Sequence, residues 1–155
     1  MNDYIEVQRV EQQLRQYGAD VTTHTNDGLD KSLGDFAQLT EIIIRVRLAN
    51  SPNADEVIRF MVTEPIALVT LQQLELPGCQ LSDDSVLQLG MFQQLQTLDL
   101  SRTSISRRAL SIVEVLPELE TLKVEGIALG WWAKYKLNRL LRHHLESRPA
   151  SSFGG

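Results

Sequence analysis

Two carboxylates, Glu75 and Asp99, stand 24 residues apart in a chain of 155 residues. Carboxylates about 5 Å apart can serve as acid and nucleophile in a retaining glycosidase. Whether Glu75 and Asp99 could catalyse such a reaction depends on where the fold places them. Both lie in short segments in which apolar and polar residues alternate, which is typical of strands with one solvated face. We expect them to be solvated and paired with Arg47 and Lys123, an environment that does not prepare a carboxylic acid for catalysis.

The other candidates for chemistry are one cysteine and three histidines. Cys79 can form no internal disulfide, and no nearby histidine activates it as a nucleophile, so we expect a structural role. His24 has no second ligand at metal-binding spacing, and the adjacent His143 and His144 point in different directions on a helix. The motifs G-x-x-x-x-G-K-[ST], G-x-S-x-G, H-E-x-x-H and C-x-x-C do not occur. The sequence therefore predicts a protein that is not an enzyme, with no cofactor and no metal site.

A repeat of 24 residues supplies the elements that position these residues. Its three clear copies are Leu71-x-x-Leu74-x-Leu76-x-x-Cys79-x-Leu81, Leu95-x-x-Leu98-x-Leu100-x-x-Thr103-x-Ile105 and Leu119-x-x-Leu122-x-Val124-x-x-Ile127-x-Leu129. A looser copy, Ile43-x-x-Val46-x-Leu48, begins 28 residues before the first of them. Each copy predicts a strand with one buried face, followed by a helix. Asn53, Ser82 and Ser106 are expected to cap these helices.

The repeat resembles the leucine-rich-repeat superfamily, and within it the cysteine-containing type and the 24-residue bacterial type. The stretch LPGCQLSDDSV, residues 76–86, is similar to the cysteine-containing pattern shortened by one residue, and residues 98–106 are similar to the form with threonine. The resemblance covers about residues 43–129 and departs at Arg107-Arg108, where the family usually has an acidic and a small residue. It implies an α/β fold, a short right-handed solenoid with parallel strands on the concave face, helices on the convex face and helical caps at both ends.

The two ends of the chain are predicted to cap the repeats within a single domain. The N-terminal cap is expected to contain a helix from Asp3 that ends at Gly18, a short strand over residues 19–25, a turn at residues 26–28 and a short helix with Leu33, Phe36 and Leu39. The predicted units are an N-terminal cap (1–42), four repeats starting near 43, 71, 95 and 119 (43–129), a C-terminal capping helix with Trp131 and Trp132 (130–145) and a flexible tail (146–155).

Composition and charge fit a globular protein of the cytoplasm. Apolar residues make up 43% and charged residues 23%, and the net charge is −5. The first residues lack the pattern of a secretory signal, and no stretch approaches the roughly 20 apolar residues of a membrane span. Residues 126–155 differ from the acidic body, since they hold five basic residues and one acidic residue.

The predicted solenoid favours a protein–protein interaction module that binds its partner on the concave strand face. The predicted contact residues there are Arg45, Arg47, Gln73, Glu75, Thr97, Asp99, Ser101, Thr121, Lys123 and Glu125. Four of these residues, one from each strand, form a central row: Arg47, Glu75, Asp99 and Lys123. Its charges run plus, minus, minus, plus, which predicts two ion pairs between strands, Arg47–Glu75 and Asp99–Lys123. The partner protein is not identified by the sequence, and we expect the chain to be a monomer.

Two alternatives stay open. The C-terminal helix carries Lys134, Lys136, Arg139 and Arg142 beside two tryptophans, a surface that could hold a membrane interface or a nucleic-acid backbone. So few basic residues, on a helix that also carries apolar ones, make a small surface for binding phosphates. We therefore expect this helix to cap the repeats, with neither membrane nor nucleic acid as a partner. The chain could also be a structural subunit of a larger assembly.

Overall fold

The computed structural model describes residues 3–25, 41–127, 137–139, 141–143 and 145–146. These residues form an α/β structure with one five-stranded sheet whose strands lie in the order of the sequence. The elements are α1 (Asp3–Gln16), β1 (Asp20–Thr25), β2 (Glu41–Arg47), α2 (Ala54–Met61), α3 (Pro65–Thr70), β3 (Gln73–Glu75), α4 (Asp83–Gln88), β4 (Thr97–Asp99), α5 (Ile112–Val115) and β5 (Thr121–Lys123). Short 3-10 segments, Leu89–Met91 and Arg107–Ser111, follow α4 and precede α5.

Four of the strands are parallel, as the family resemblance implies. β2, β3, β4 and β5 pair in that order, and Val46, Leu74, Leu98 and Leu122 are register partners. Because register partners are 28, 24 and 24 residues apart, the repeat in the sequence is also the step from strand to strand. The prediction of strands at these positions is confirmed.

The N-terminal helix and strand are confirmed, although the strand runs antiparallel to β2. Helix α1 ends just before Gly18, where the sequence predicts its end. Gly18 has a φ of +92°, its N–H donates to the Arg15 carbonyl at 3.0 Å, and the N–H of Ala19 donates to the Leu14 carbonyl at 3.0 Å, which is a Schellman motif. The repeat pattern carries no information on the direction of β1, because residues 20–25 lie outside it. The turn and short helix predicted between residues 26 and 39 lie outside the described residues.

The first repeat contains an additional helix that the sequence analysis missed. Helix α3 begins with Pro65 in its first turn, where the missing N–H of proline leaves no hydrogen bond unmade. The Thr70 hydroxyl at its end is buried and lies 2.9 Å from the Ile43 carbonyl oxygen and 2.7 Å from that of Ile66. The step of 28 residues, where later repeats have 24, leaves room for this helix.

Two of the three predicted helix caps are confirmed. The Ser82 hydroxyl accepts a hydrogen bond from the Ser85 N–H at 3.2 Å, and the Ser106 hydroxyl accepts one from the Arg108 N–H at 3.3 Å. Asn53 precedes α2 as expected, but its side chain makes no capping hydrogen bond. The prediction was therefore wrong about the Asn53 side chain and right about where α2 begins.

The core joins the inward face of the sheet to the helices in one apolar cluster. Leu74 and Leu98 in the strands, Ile58 in α2, Val86 in α4 and Ile112 in α5 all have no exposed surface. Burying a side chain of this size stabilises the fold by about 1.5–3 kcal/mol. The cluster fixes which side of each strand faces outward, and those outward residues form the candidate surface.

Near the C-terminus, residues 137–139, 141–143 and 145–146 are helical, in agreement with the predicted capping helix. Leu137 is buried and Leu141 packs against the core. Trp131, Trp132 and Leu140, also assigned to this cap, lie outside the described residues. Within the described ranges, no helix combines the length and the apolar character needed to cross a bilayer.

Candidate binding surface

The outward residues of the four parallel strands form a polar surface, here called the polar strand face. Val46, Leu74 and Leu98 point into the core, so the residues on either side of each point the other way. The face consists of Arg45, Arg47, Gln73, Glu75, Thr97, Asp99, Thr121 and Lys123. Gln73, Thr121 and Lys123 are exposed, and the two arginines are partly exposed.

Two arginines share one carboxylate at the β2 side of this face. Arg45 donates from Nε to Glu75 Oε2 at 2.6 Å, and its Nη2 lies 2.5 Å from the same oxygen. Arg47 Nη1 lies 3.6 Å from Glu75 Oε1, which is an ion pair but too long for a hydrogen bond. The predicted Arg47–Glu75 pair is present, and the closer partner, Arg45, reaches Glu75 diagonally across the strands.

Asp99 departs from its predicted role. Its side chain is only 8% exposed, and its Oδ1 accepts a hydrogen bond from the Ser101 N–H at 2.9 Å. Among the described residues no ion pair joins Asp99 to Lys123, so the prediction of that pair was wrong. The short aspartate side chain bonds the backbone of its own loop, as aspartate commonly does in turns.

Ser101 is also buried, although it was predicted to contact a partner. It is 8% exposed, and its hydroxyl oxygen accepts a hydrogen bond from the Glu125 N–H at 3.3 Å. Glu125 itself is exposed. Asp99 and Ser101 therefore hold the loops after β4 and β5 in place and present little surface to a partner.

The two carboxylates considered at the outset are neighbours in the sheet, since Glu75 and Asp99 are register partners. Each is already occupied by a group of the protein, Glu75 by Arg45 and Asp99 by a backbone N–H. Glu75 is 15% exposed and Asp99 8% exposed, so the prediction that both carboxylates are solvated was wrong.

Cys79 is buried and its thiol donates to the Leu48 carbonyl at 3.0 Å, a contact that fits the structural role predicted for it. Burial raises the pKa of the thiol, so it stays protonated at neutral pH.

Thr103, the counterpart of Cys79 in the next repeat, donates to the Leu100 carbonyl of its own loop at 2.7 Å. The bond to the preceding repeat is made there by Ser104, whose hydroxyl donates to the Leu81 carbonyl at 2.9 Å and accepts from the Leu81 N–H at 3.0 Å. Sequence reasoning missed Ser104, and its only signal was a second hydroxyl residue beside Thr103.

Two aspartates, each in the first turn of a helix, bond to the cap residue of the following repeat. Asp55 Oδ1 accepts from the Ser82 N–H at 3.0 Å, and Asp83 Oδ1 accepts from the Ser106 N–H at 2.8 Å. The Ser106 hydroxyl also donates to Asp83 Oδ2, and this bond is the main reason that the pKa of Asp83 lies below its ordinary value. Asp55 and Asp83 stand 28 residues apart, the step between their repeats, so only the alignment of repeats could have revealed the link.

Of the remaining candidate residues, those that the structure describes lie outside the four parallel strands. Arg139 and Arg142 are exposed on the C-terminal helix, whereas Lys134 and Lys136 lie outside the described residues. His24 on β1 and His143 are exposed, and no group of three His, Cys, Asp or Glu side chains that could hold a metal ion occurs in the part of the chain that the structure describes. A groove of about 280 Å³ is lined by Leu122, Lys123, Val124, Glu125, Leu137 and Asn138.

No protein-family model matches this chain, and the comparison with curated proteins finds no match.

Proposed function

We propose that this chain is a leucine-rich-repeat protein that binds another protein through its polar strand face. The observation that carries the proposal is the shared step in sequence and sheet, because leucines that recur every 24 residues are also register partners in neighbouring strands. Stacked units of this kind form a solenoid that presents its strands side by side as an extended surface.

The sizes of the elements favour a curved stack. Neighbouring strands are separated by about 4.8 Å, whereas packed helices are about 8–10 Å apart. A unit with a strand on one side and a helix on the other is therefore narrower at the strand, so the strand face becomes concave. Such a face can surround a partner, and this is why we place binding there and not on the helices.

The chemistry of the face also suits recognition of a protein. Gln73, Thr97 and Thr121 are register partners, so hydrogen-bonding groups are repeated across three neighbouring strands. The face lacks large aromatic side chains, so we expect its contacts to be mainly polar and its affinity to depend on a few charged groups.

The test adds two negative charges to the face. Gln73→Glu with Thr121→Glu places two carboxylates at exposed positions of the face, whereas Gln16→Glu with Gln88→Glu adds the same charge to exposed helical positions. Affinity capture from the native host, read by mass spectrometry, should recover a partner with the parent and the helical variant and lose it with the strand variant. Equal capture by both variants would move binding to another surface. Loss only on Arg139→Glu with Arg142→Glu would favour the basic terminal helix.

A further inference from the structure

The accessible cations of the polar strand face lie at the two ends of its central row. That row is Arg47, Glu75, Asp99 and Lys123, each a register partner of the next. Glu75 is held between two arginines and is 15% exposed, and Asp99 is buried against a backbone N–H. The two acids in the middle are thus occupied by the protein itself.

Arg47 keeps most of its hydrogen-bonding capacity. Its side chain is 41% exposed, and its contact with Glu75, at 3.6 Å, is too long for a hydrogen bond. A guanidinium group has five N–H donors in a planar fork that fits a carboxylate with two parallel bonds. Arg45, by contrast, is occupied by Glu75. Of the two arginines, Arg47 is therefore the one that can donate hydrogen bonds to a carboxylate of another molecule.

Lys123 closes the other end of the row. It is exposed, and within the described residues it forms no ion pair. Three steps from strand to strand separate it from Arg47, which corresponds to about 14 Å at a strand spacing of about 4.8 Å. An extended peptide rises about 3.4 Å per residue, so side chains four positions apart lie about 14 Å from each other and point to the same side.

We propose that the central row binds an extended acidic segment of the partner protein, with carboxylates four residues apart on Arg47 and Lys123. The inference rests on the proposed function and names the chemistry of its partner. Gln73, Thr97 and Thr121 lie beside the row and supply hydrogen bonds to the backbone between the two acids. A nucleic acid fits less well, because two separated cations can neutralise few of its phosphates, and the net charge of the protein, −5, repels the rest.

Asp20 bears directly on this inference. It is exposed and is the register partner of Arg47 on β1, yet among the described residues it forms no ion pair with Arg47. Its charge competes with an incoming carboxylate for Arg47. Replacing it with asparagine should therefore tighten binding of an acidic segment, which is the opposite of what loss of a structural residue would produce.

The experiment titrates synthetic peptides into the full chain labelled with ¹⁵N, at low ionic strength, and follows the backbone and arginine Nε–H signals. The first peptide is Ser-Glu-Thr-Ser-Thr-Glu-Ser. A second has glutamine at both acidic positions, and a third has its two glutamates three residues apart. We expect the first peptide to bind about tenfold more tightly than the second, as charge-assisted hydrogen bonds are stronger than neutral ones, and more tightly than the third.

Variants then locate the contacts. Arg47→Gln and Lys123→Gln should each remove most of the preference for glutamate, Asp20→Asn should increase it, and the control Arg108→Gln, at a 66% exposed arginine in a helical segment, should leave it unchanged. Four results would each overturn the inference: equal binding of the glutamate and glutamine peptides, shifts outside the face, no shifts at millimolar peptide, or a glutamate preference that Arg47→Gln leaves undiminished. Tighter binding of single-stranded oligonucleotides would overturn it in favour of nucleic acid. If host-protein capture is lost with Gln73→Glu and Thr121→Glu but survives Arg47→Gln, the proposed function stands and this inference fails.

Discussion

The side chain of Asn50 lies over Gly78, so close that a Cβ on Gly78 would be 2.1 Å from Asn50 Oδ1. Both residues have a positive φ, +55° for Asn50 and +71° for Gly78, and so do Arg102 and Gly126 at +55° and +73°. These positions are 28, 24 and 24 residues apart, so the left-handed turn after each of the four parallel strands recurs with the repeat. Glycine alternates with a larger residue, and Arg102 lies over Gly126 as Asn50 lies over Gly78.

Gly78→Ala should destabilise the fold for two separable reasons. The left-handed backbone costs about 1–2 kcal/mol with any Cβ, and the clash with Asn50 adds to this cost. Gly18→Ala is the matched control, because its φ is +92° and nothing lies within 4 Å of its Cβ, so it carries the backbone cost alone. Urea denaturation should show a larger loss for Gly78→Ala, and Asn50→Gly should recover the excess. Equal losses in the two variants would mean that Asn50 moves aside freely.

Arg102→Gly should make the protein more stable. Arg102 adopts a left-handed conformation that glycine adopts without steric cost, so we expect a gain of about 0.5–1 kcal/mol in the free energy of unfolding. The change also removes the Arg102 side chain that covers Gly126. Thermal and urea denaturation measure the result, and a loss of stability would show that packing against Gly126 outweighs the backbone cost.

The sequence was most informative where the repeat was strict. The leucines of the strands predicted their order and register, because a period shared by several segments leaves few ways to bury the same face. Helix α3 was missed because Pro65 and its neighbours fall in the one irregular step, and the direction of β1 was missed because Asp20–Thr25 lies outside the repeat. The polar side chains were the least predictable. Asp99 was assigned to Lys123 by alignment, whereas a short side chain bonds the nearest backbone N–H first.

Leu98→Asp should unfold the protein, since Leu98 is fully buried in β4. An unpaired charge in this position costs about 5 kcal/mol or more, which is comparable to the whole stability of a small domain. Leu122→Asp in β5 is the matched comparison, because Leu122 is only partly buried and should cost less. Far-ultraviolet circular dichroism and thermal melting report both. A Leu98→Asp variant that melts like the parent would contradict the shared core of the strands.

The link between Asp83 and Ser106 should appear in the pH dependence of stability. The Ser106 hydroxyl and N–H hold the pKa of Asp83 below its ordinary value, so the folded state binds this proton less readily than the unfolded state. The ionised carboxylate therefore adds stability above about pH 4, the pKa of an unperturbed aspartate, and this contribution is lost as the pH falls through the lower folded pKa. Asp83→Asn should flatten the fall in stability on the acid side.

Ser106 provides the control, because it supplies both hydrogen bonds. Ser106→Ala keeps the backbone N–H and removes the hydroxyl, so it should flatten the acid side less than Asp83→Asn does. In the Asp83→Asn background the same change should leave the pH slope unaltered, although it still costs about 1 kcal/mol as a lost helix cap at every pH. Urea denaturation between about pH 3 and pH 7 would measure all four proteins. If Ser106→Ala changed the slope equally with and without Asp83, another carboxylate would be responsible for the acid sensitivity of this loop.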